Sequence, residues 1–200
     1  MSDRAPIAEP FLRFRDLLVE ATAVGPAILP EPTAFALGTV AADGQPSVRI
    51  LLLKGVDERG FVFYTNQDSR KGRELLAHPK AALCFHWQPL ERQVRVEGVA
   101  RPVSSEEADA YFASRERGSQ IGAWASLQSQ PIVTRGDLEA RVAEVEERFA
   151  NAAVPRPPHW SGFRLVPHRI EFWHGMPSRL HERHVYHREA DGWRVEVLYP

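Results

Sequence analysis

Apolar residues recur along this chain with two periods. Phe11, Phe14, Leu18 and Ala21 fall three or four positions apart, which predicts an amphipathic helix over residues 10–24, with Pro10 near its first turn. From Phe35 onward the pattern becomes that of strands. Residues 35–40 and 47–54 flank an Ala42-Asp43-Gly44 turn, and residues 61–65 follow a turn at 57–60. Strands are also predicted at 81–87 and 91–101. In the latter, Val94, Val96 and Gly98 share one face and Gln93, Arg95 and Glu97 the other. Residues 163–166 and 169–173 predict two more strands, and 184–199 a hairpin about Ala190-Asp191-Gly192.

Helices punctuate this run. Ser69 can cap one that starts near Arg70. Ser104 and Glu107 form a capping-box pattern for a helix carrying Tyr111 and Arg115, ended by Gly118. Thr134 caps a helix whose stripe is Leu138, Val142, Val145 and Phe149. Residues 119–133 have little charge and no clear period, and predict a loop with some helical turns. Residues 154–160 form a proline-stiffened connector, and residues 1–9 are polar and expected to be mobile. Strands joined by tight turns must pair antiparallel. The expected class is mainly β: roughly seven strands and three or four helices, in a closed or nearly closed barrel with helices beside it.

Composition narrows the function. At 200 residues, with 44% hydrophobic and 26% charged, the chain suits one globular domain. A net charge of −1 gives no global field to attract nucleic acid or an anionic membrane, so any basic site must be local. Cys84 is the single cysteine, which precludes an internal disulfide and predicts a buried, inert thiol. No signal core and no 18-residue apolar window is present, so a cytoplasmic location is expected.

Candidate chemistry centres on residues 49–76. Arg70 and Lys71 open a helix, where cations oppose the dipole unless an anion occupies the free N–H groups. Arg49 and Lys54 bracket the preceding strand and could converge on the same place, giving a phosphate-binding corner; the alternative is a solvated hairpin with ordinary surface charge. Tyr111 and Arg115, four apart, share a helix face, with Ser119 just beyond, and suggest a second anion grip or a surface Tyr–Arg stack. Gln93, Gln128 and Ser129 could hydrogen-bond a planar heterocycle. Arg179, His181 and Arg183 alternate, so an extended segment would point all three to one side. His181, His184 and His187 invite a metal reading, but on a strand His184 faces away from the other two and no cysteine or carboxylate joins them at ligand spacing. No metal is expected. Neither a glycine-rich phosphate loop nor a nucleophile elbow is present.

The strings RILLLK, FVFYTN, SRKGREL, LERQVRVEG, YFASRERGSQIGAW, QSQ, VPRPPHW, IEFWHG and RLHER occur in this order. With this set, from about residue 30 to the C-terminus, the chain resembles the pyridoxine (pyridoxamine) 5′-phosphate oxidase family. The resemblance implies a homodimer of split β-barrels with FMN at the dimer interface: an N-terminal segment over 1–30 with one short helix, and a single FMN-binding domain over 31–200. Arg49, Tyr64, Thr65, Arg70 and Lys71 would hold FMN, the last two at its phosphate, with Gln93, Gln128, Ser129, Trp173 and Arg183 completing the flavin site. Lys54, Tyr111, Arg115 and Ser119 would hold the substrate phosphate. Arg179 and His181 would lie over the substrate ring as the catalytic pair. The implied reaction moves a hydride from the substrate 4′ carbon to the flavin, which oxygen reoxidises with release of hydrogen peroxide, and pyridoxal 5′-phosphate is the product. A related oxidase of the phenazine-forming type and a non-catalytic flavin or pyridoxal-phosphate binding module are the alternatives. Three departures stand out: the stretch before residue 30 lacks the Arg- and Tyr-bearing segment that covers the substrate in some members, Glu116 replaces the usual proline, and Glu182 replaces the usual aspartate.

Overall fold

The structure, a computed structural model, describes residues 4–200. Ten strands and five helices build one antiparallel sheet and the helices on it. In chain order they begin β1 (Arg4–Ala5), α1 (Glu9–Ala23), β2 (Ala34–Val40), β3 (Pro46–Leu52), β4 (Gly55–Asp57), β5 (Gly60–Asn66) and α2 (Arg70–Ala77). Then come β6 (Lys80–Trp87), β7 (Arg92–Pro102), α3 (Ser105–Ala113), α4 (Arg117–Ala125) and α5 (Arg135–Arg148). The chain closes with β8 (Trp160–His174), β9 (Glu182–Arg188) and β10 (Trp193–Val197).

The strand order is β1-β10-β9-β8-β7-β6-β2-β3, and the β4–β5 hairpin joins through β5 to β8. The hydrogen bond from Lys54 N to Val62 O, 2.9 Å, ties the end of β3 back to β5. This turns β2, β3, β5, β8, β7 and β6 into a nearly closed barrel. Its interior is aromatic: Phe35, Phe61, Phe63, Phe85 and Trp87 are fully buried, and α1 adds Phe11 and Phe14. Phe14 meets Phe61 and Phe85 edge-on at 4.9 Å each, a favoured arrangement for rings with a negative face and positive edge. A second cluster of Phe112, Ile121, Phe149, Val154 and Trp160 seats α3, α4 and α5 outside the barrel.

Several expectations need correction. Ten strands stand where roughly seven were expected, in part because short β1 and β4 carry little sequence signal. The two strands expected at 163–166 and 169–173 are one 15-residue β8, which passes a register shift at Glu97/Gly98 of β7. A Cβ on Gly98 would lie 2.3 Å from the Val166 carbonyl, so this irregularity needs glycine. The strand at residue 50 pairs with β2 across the expected Ala42-Asp43-Gly44 turn, but β5 makes its hairpin with β4 rather than with that strand. The helix carrying Tyr111 ends at Ala113, so Arg115 lies in a connector, and Gly118 and Ser119 open α4 rather than terminating α3. Within residues 119–133, expected as a loop with some helical turns, the stretch to Ala125 is a regular part of α4 because that helix is packed: Ile121 and Ala125 are buried. Of the N-terminal residues expected to be mobile, 1–3 lie outside the described residues, and Arg4 and Ala5 pair with Arg194 and Trp193.

Candidate functional site

The start of α2 is built as expected, and more tightly. Ser69 caps the helix by accepting from Gly72 N at 3.3 Å. A Cβ on Gly72 would lie 2.3 Å from the Gln67 carbonyl, so the first turn sits directly on the end of β5. Arg70 and Lys71 then diverge. Arg70 stays half-exposed and donates to Glu74 Oε1 at 2.9 Å. Lys71 is buried, and its Nζ donates to Ser69 Oγ at 3.2 Å and Gln128 Oε1 at 2.9 Å. Neither partner carries charge. Burial, with Arg49 adding repulsion, brings the Lys71 pKa down to about 8.

Arg49 and Lys54 do not converge. On β3 the odd positions face inward, and Arg49 donates to Thr39 Oγ1 and Ser47 Oγ, both at 2.5 Å. Both hydroxyls donate to Glu74 Oε2, which lies 3.4 Å from Arg49. Burial opposes the Glu74 charge, but hydrogen bonds from Thr39, Ser47 and Arg70 outweigh it and bring its pKa to about 2. Glu74, which sequence reasoning passed over, therefore joins β2, β3 and α2 beneath the basic corner; its spacing of four from Arg70 was the available signal.

Lys54 instead belongs to a cavity of about 490 Å³ between β3, β5, α3 and α4. Ile50, Leu52, Tyr64, Thr65, Tyr111, Arg115, Ser119, Gln128 and Trp160 also line it. Arg115 Nη1 is buried there with no hydrogen-bond partner, and burial lowers the pKa of this guanidinium. Tyr64 stacks on Tyr111 at 3.9 Å, with burial pushing the Tyr64 hydroxyl up to about 12. The Tyr64 ring lies so close to Gly162 of the facing strand that a Cβ there would sit 2.6 Å from it. Arg164 holds α3 in place, donating to Asp57 at 2.8 Å and Glu107 at 2.9 Å.

A second group lies elsewhere on the same outer face. Gln93, Trp173 and Arg183 are directly opposed across β7, β8 and β9. Ile50 and Leu52 open onto this face too, because Ile50, Ala36, Cys84 and Arg95 are successive partners across β3, β2, β6 and β7. Ile50 on β3 and Arg95 on β7 are thus three strand spacings apart, about 14 Å along the sheet. Arg183 Nε donates to Glu171 Oε1 at 2.8 Å, and Arg169 Nη2 to Glu171 Oε2 at 2.7 Å; Arg95 also pairs with this fully buried carboxylate. Glu171 sits inside the string IEFWHG and gave no separate signal. The extended alternation expected for Arg179, His181 and Arg183 fails: residues 177–179 form a 3-10 turn with positive φ at Ser178 and Arg179 (59° and 62°). His181 packs on Trp173 at 4.6 Å and accepts from Met176 N through Nδ1 at 3.1 Å, so its neutral ring carries the proton on Nε2. The uncharged set is likewise divided: Gln128 is at Lys71, Gln93 is beside Trp173, and Ser129 takes a left-handed φ of 71°.

This geometry meets the comparisons with known proteins. A family model described as pyridoxamine 5′-phosphate oxidase matches residues 26–149, more than half the chain. The chain belongs to the pyridoxamine 5′-phosphate oxidase family. A model of the pyridoxine 5′-phosphate oxidase C-terminal dimerisation region matches residues 160–200, which hold the second group. The pyridoxine/pyridoxamine 5′-phosphate oxidase of Myxococcus xanthus is 64% identical over 192 residues, covering 96% of this chain and 92% of its own. That of Rhodospirillum rubrum is 57% identical over 197 residues, covering 96% of each. Among solved structures, PhzG from Burkholderia lata in complex with tetrahydrophenazine-1-carboxylic acid superposes with a TM-score of 0.89 at 34% identity, covering 96% of this chain and 92% of that one. An FMN-binding protein from Nostoc punctiforme, at 20% identity and a TM-score of 0.73, shares the fold, covering 94% of this chain and 97% of that one. This family's split barrel is therefore the fold observed here. No helix among the described residues is long and apolar enough to cross a membrane.

Proposed function

We propose that this protein is an FMN-dependent oxidase that converts pyridoxamine 5′-phosphate or pyridoxine 5′-phosphate to pyridoxal 5′-phosphate. Oxygen is the acceptor and hydrogen peroxide the by-product. The observation that carries the reading is a pair of cations in one region, neither with a carboxylate partner among the described residues: Lys71, buried at the start of α2, and half-buried Arg115, whose enclosed Nη1 is free in the cavity. A buried charge without a counter-charge is costly, and a bound phosphate supplies one to each. Two phosphorylated ligands, cofactor and substrate, fit two such positions.

The residues fit FMN. Lys71, Arg70 and the first N–H groups of α2 would hold its phosphate, with Arg49 adding positive potential behind them. Thr65, Tyr64, Gln128 and Ser129 would border the flavin. When bound, FMN supplies the two-electron acceptor that oxygen restores. Arg115, Tyr111, Ser119 and Lys54 would hold the substrate phosphate, fixing the substrate within the cavity.

The second group would act from a partner copy. Gln93, Trp173 and Arg183, with His181 packed on Trp173 and Arg179 in the turn just before it, belong to the sheet face that also exposes Val48 and Ile50, and the match to a dimerisation region supports pairing through it. In the homodimer, His181 would offer its Nε2–H to the substrate ring, and Arg179 would cover that ring and exclude water. Glu171 would fix Arg183 for the flavin. Residues 31–200 would form the FMN-binding domain and residues 1–30 the N-terminal segment, in a cytoplasmic enzyme.

The similarity to PhzG favours one second reading, oxidation of a phenazine precursor. The ligand in that complex is a carboxylic acid, whereas Lys54, Ser119 and the unpaired Arg115 offer donors enough for a phosphate.

The flavin half is tested at Lys71. The ammonium must be charged to hold a phosphate, and its pKa in the free protein is about 8. FMN affinity therefore falls as pH rises through about 8, while phosphate binding draws the pKa upward. Lys71→Met should weaken FMN binding by about 10–100-fold, the range for one charge-assisted hydrogen bond, and should flatten that pH dependence. Fluorescence titration of FMN from pH 6.5 to 9.5 checks both. An unchanged affinity in Lys71→Met would remove the phosphate from this corner.

A further inference from the structure

We propose that Trp160 is a positioning residue that sets the Arg115 guanidinium for the substrate phosphate. The proposal rests on the reading of Arg115 given above. Trp160 opens β8 and is almost fully buried, yet its indole forms part of the cavity wall. The Arg115 guanidinium carbon lies 4.9 Å from its ring centroid, within cation–π range, and 5.6 Å from Phe112. No carboxylate pairs with Arg115 among the described residues. Its orientation is therefore set by two aromatic faces, which leave the N–H groups free where a carboxylate would have occupied them.

The Trp160 ring is itself held. Its plane lies within 4° of that of Tyr64 and 9° of that of Tyr111, at 5.4 and 6.1 Å, and Phe112 meets it edge-on at 5.1 Å. Arg156 sets the spacing between β8 and α3, donating to the Trp160 carbonyl at 2.8 Å and to Asp109 of α3 at 2.6 Å. Tyr111 and Arg115 come from the α3 end of this arrangement, and Trp160 comes from the sheet. An arginine has a planar fork of donors, so fixing its plane decides which oxygens it can reach. Trp160 would do so while adding no charge that competes with the phosphate.

The test compares ligands that differ only in the phosphate. FMN-loaded wild type, Trp160→Phe and Trp160→Leu are titrated calorimetrically with pyridoxine 5′-phosphate, pyridoxine and inorganic phosphate. Trp160→Leu should weaken pyridoxine 5′-phosphate and inorganic phosphate about tenfold and leave pyridoxine within about twofold; Trp160→Phe, which keeps an aromatic face, should stay within about threefold for all. A merely structural role would weaken all three ligands alike, and that result overturns the proposal, as does unchanged phosphate affinity in Trp160→Leu. A wild type that binds pyridoxine as tightly as its phosphate also overturns it. Tight phosphate binding without oxidation would instead count against the oxidase reading and leave the role of Trp160 to be decided by the ligand ratio.

Discussion

Arg115→Ala is expected to lower kcat/KM for pyridoxine 5′-phosphate by about 10²- to 10³-fold, chiefly through KM, while leaving flavin binding intact. The magnitude follows from removing a desolvated charge that meets a phosphate, worth roughly 3–4 kcal/mol in such settings. The same change should not destabilise the ligand-free protein. Arg115 Nη1 has no partner there, so its removal relieves a buried donor while giving up its contacts with Trp160 and Phe112. Lower activity at an unchanged or higher Tm is the signature of a site that holds its charge in readiness for a ligand. Steady-state kinetics and a thermal melt of the ligand-free variant check the two halves. A drop in Tm with no change in KM would make Arg115 a packing residue.

Glu74→Gln has the largest expected effect on stability. The carboxylate is 6% exposed and accepts from Thr39, Ser47 and Arg70, with Arg49 close by. Without its charge, Arg49 and Lys71 face each other across the corner with nothing negative between them. The folded pKa of about 2 lies below the ordinary carboxylate value. The stabilisation is therefore complete above about pH 5 and disappears as pH falls toward 2, and the shift amounts to about 3 kcal/mol. Denaturant melts should show that loss at neutral pH in Glu74→Gln. The variant's stability should also change less than the wild type's between pH 5 and 2. Parallel pH profiles for the two proteins would place the acid sensitivity elsewhere.

Local chemistry made part of this molecule legible from its residues. Ser69, Ser104 and Thr134 are all N-caps, because a side-chain oxygen one turn before an apolar stripe has a single effective use. Lys71 and Arg115 stood out as cations in positions that invite an anion; Lys71 is buried, Arg115 is half-buried with Nη1 enclosed, and neither meets a carboxylate among the described residues. The errors share a cause, which is that tertiary pairing decides between locally equal options. Residues 117–125 have no clear helical period, yet they form α4 because Trp124 Nε1 donates to Pro155 O at 2.7 Å and Arg117 Nη2 to Phe149 O at 2.6 Å. Arg49 and Lys54 bracket one strand and read as convergent by charge, but Glu74, 25 positions from Arg49, draws Arg49 away from the cavity that Lys54 lines. Arg179 reads as part of a strand until two left-handed residues turn it. The separation of Gln93, Trp173 and Arg183 from the cavity depends on strand order, which single-strand patterns do not encode. The family resemblance named all of these residues together, and the single chain divides them between two places on one sheet face.

The most direct test of the central claim is the visible spectrum of the FMN-loaded protein, recorded without air, before and after one equivalent of pyridoxine 5′-phosphate. Loss of the oxidised flavin band, and its return with peroxide when air is admitted, is the expected result. A spectrum that stays yellow with pyridoxine 5′-phosphate but bleaches with a dihydrophenazine carboxylic acid would contradict the substrate assignment. A spectrum that bleaches with neither would contradict the oxidase itself.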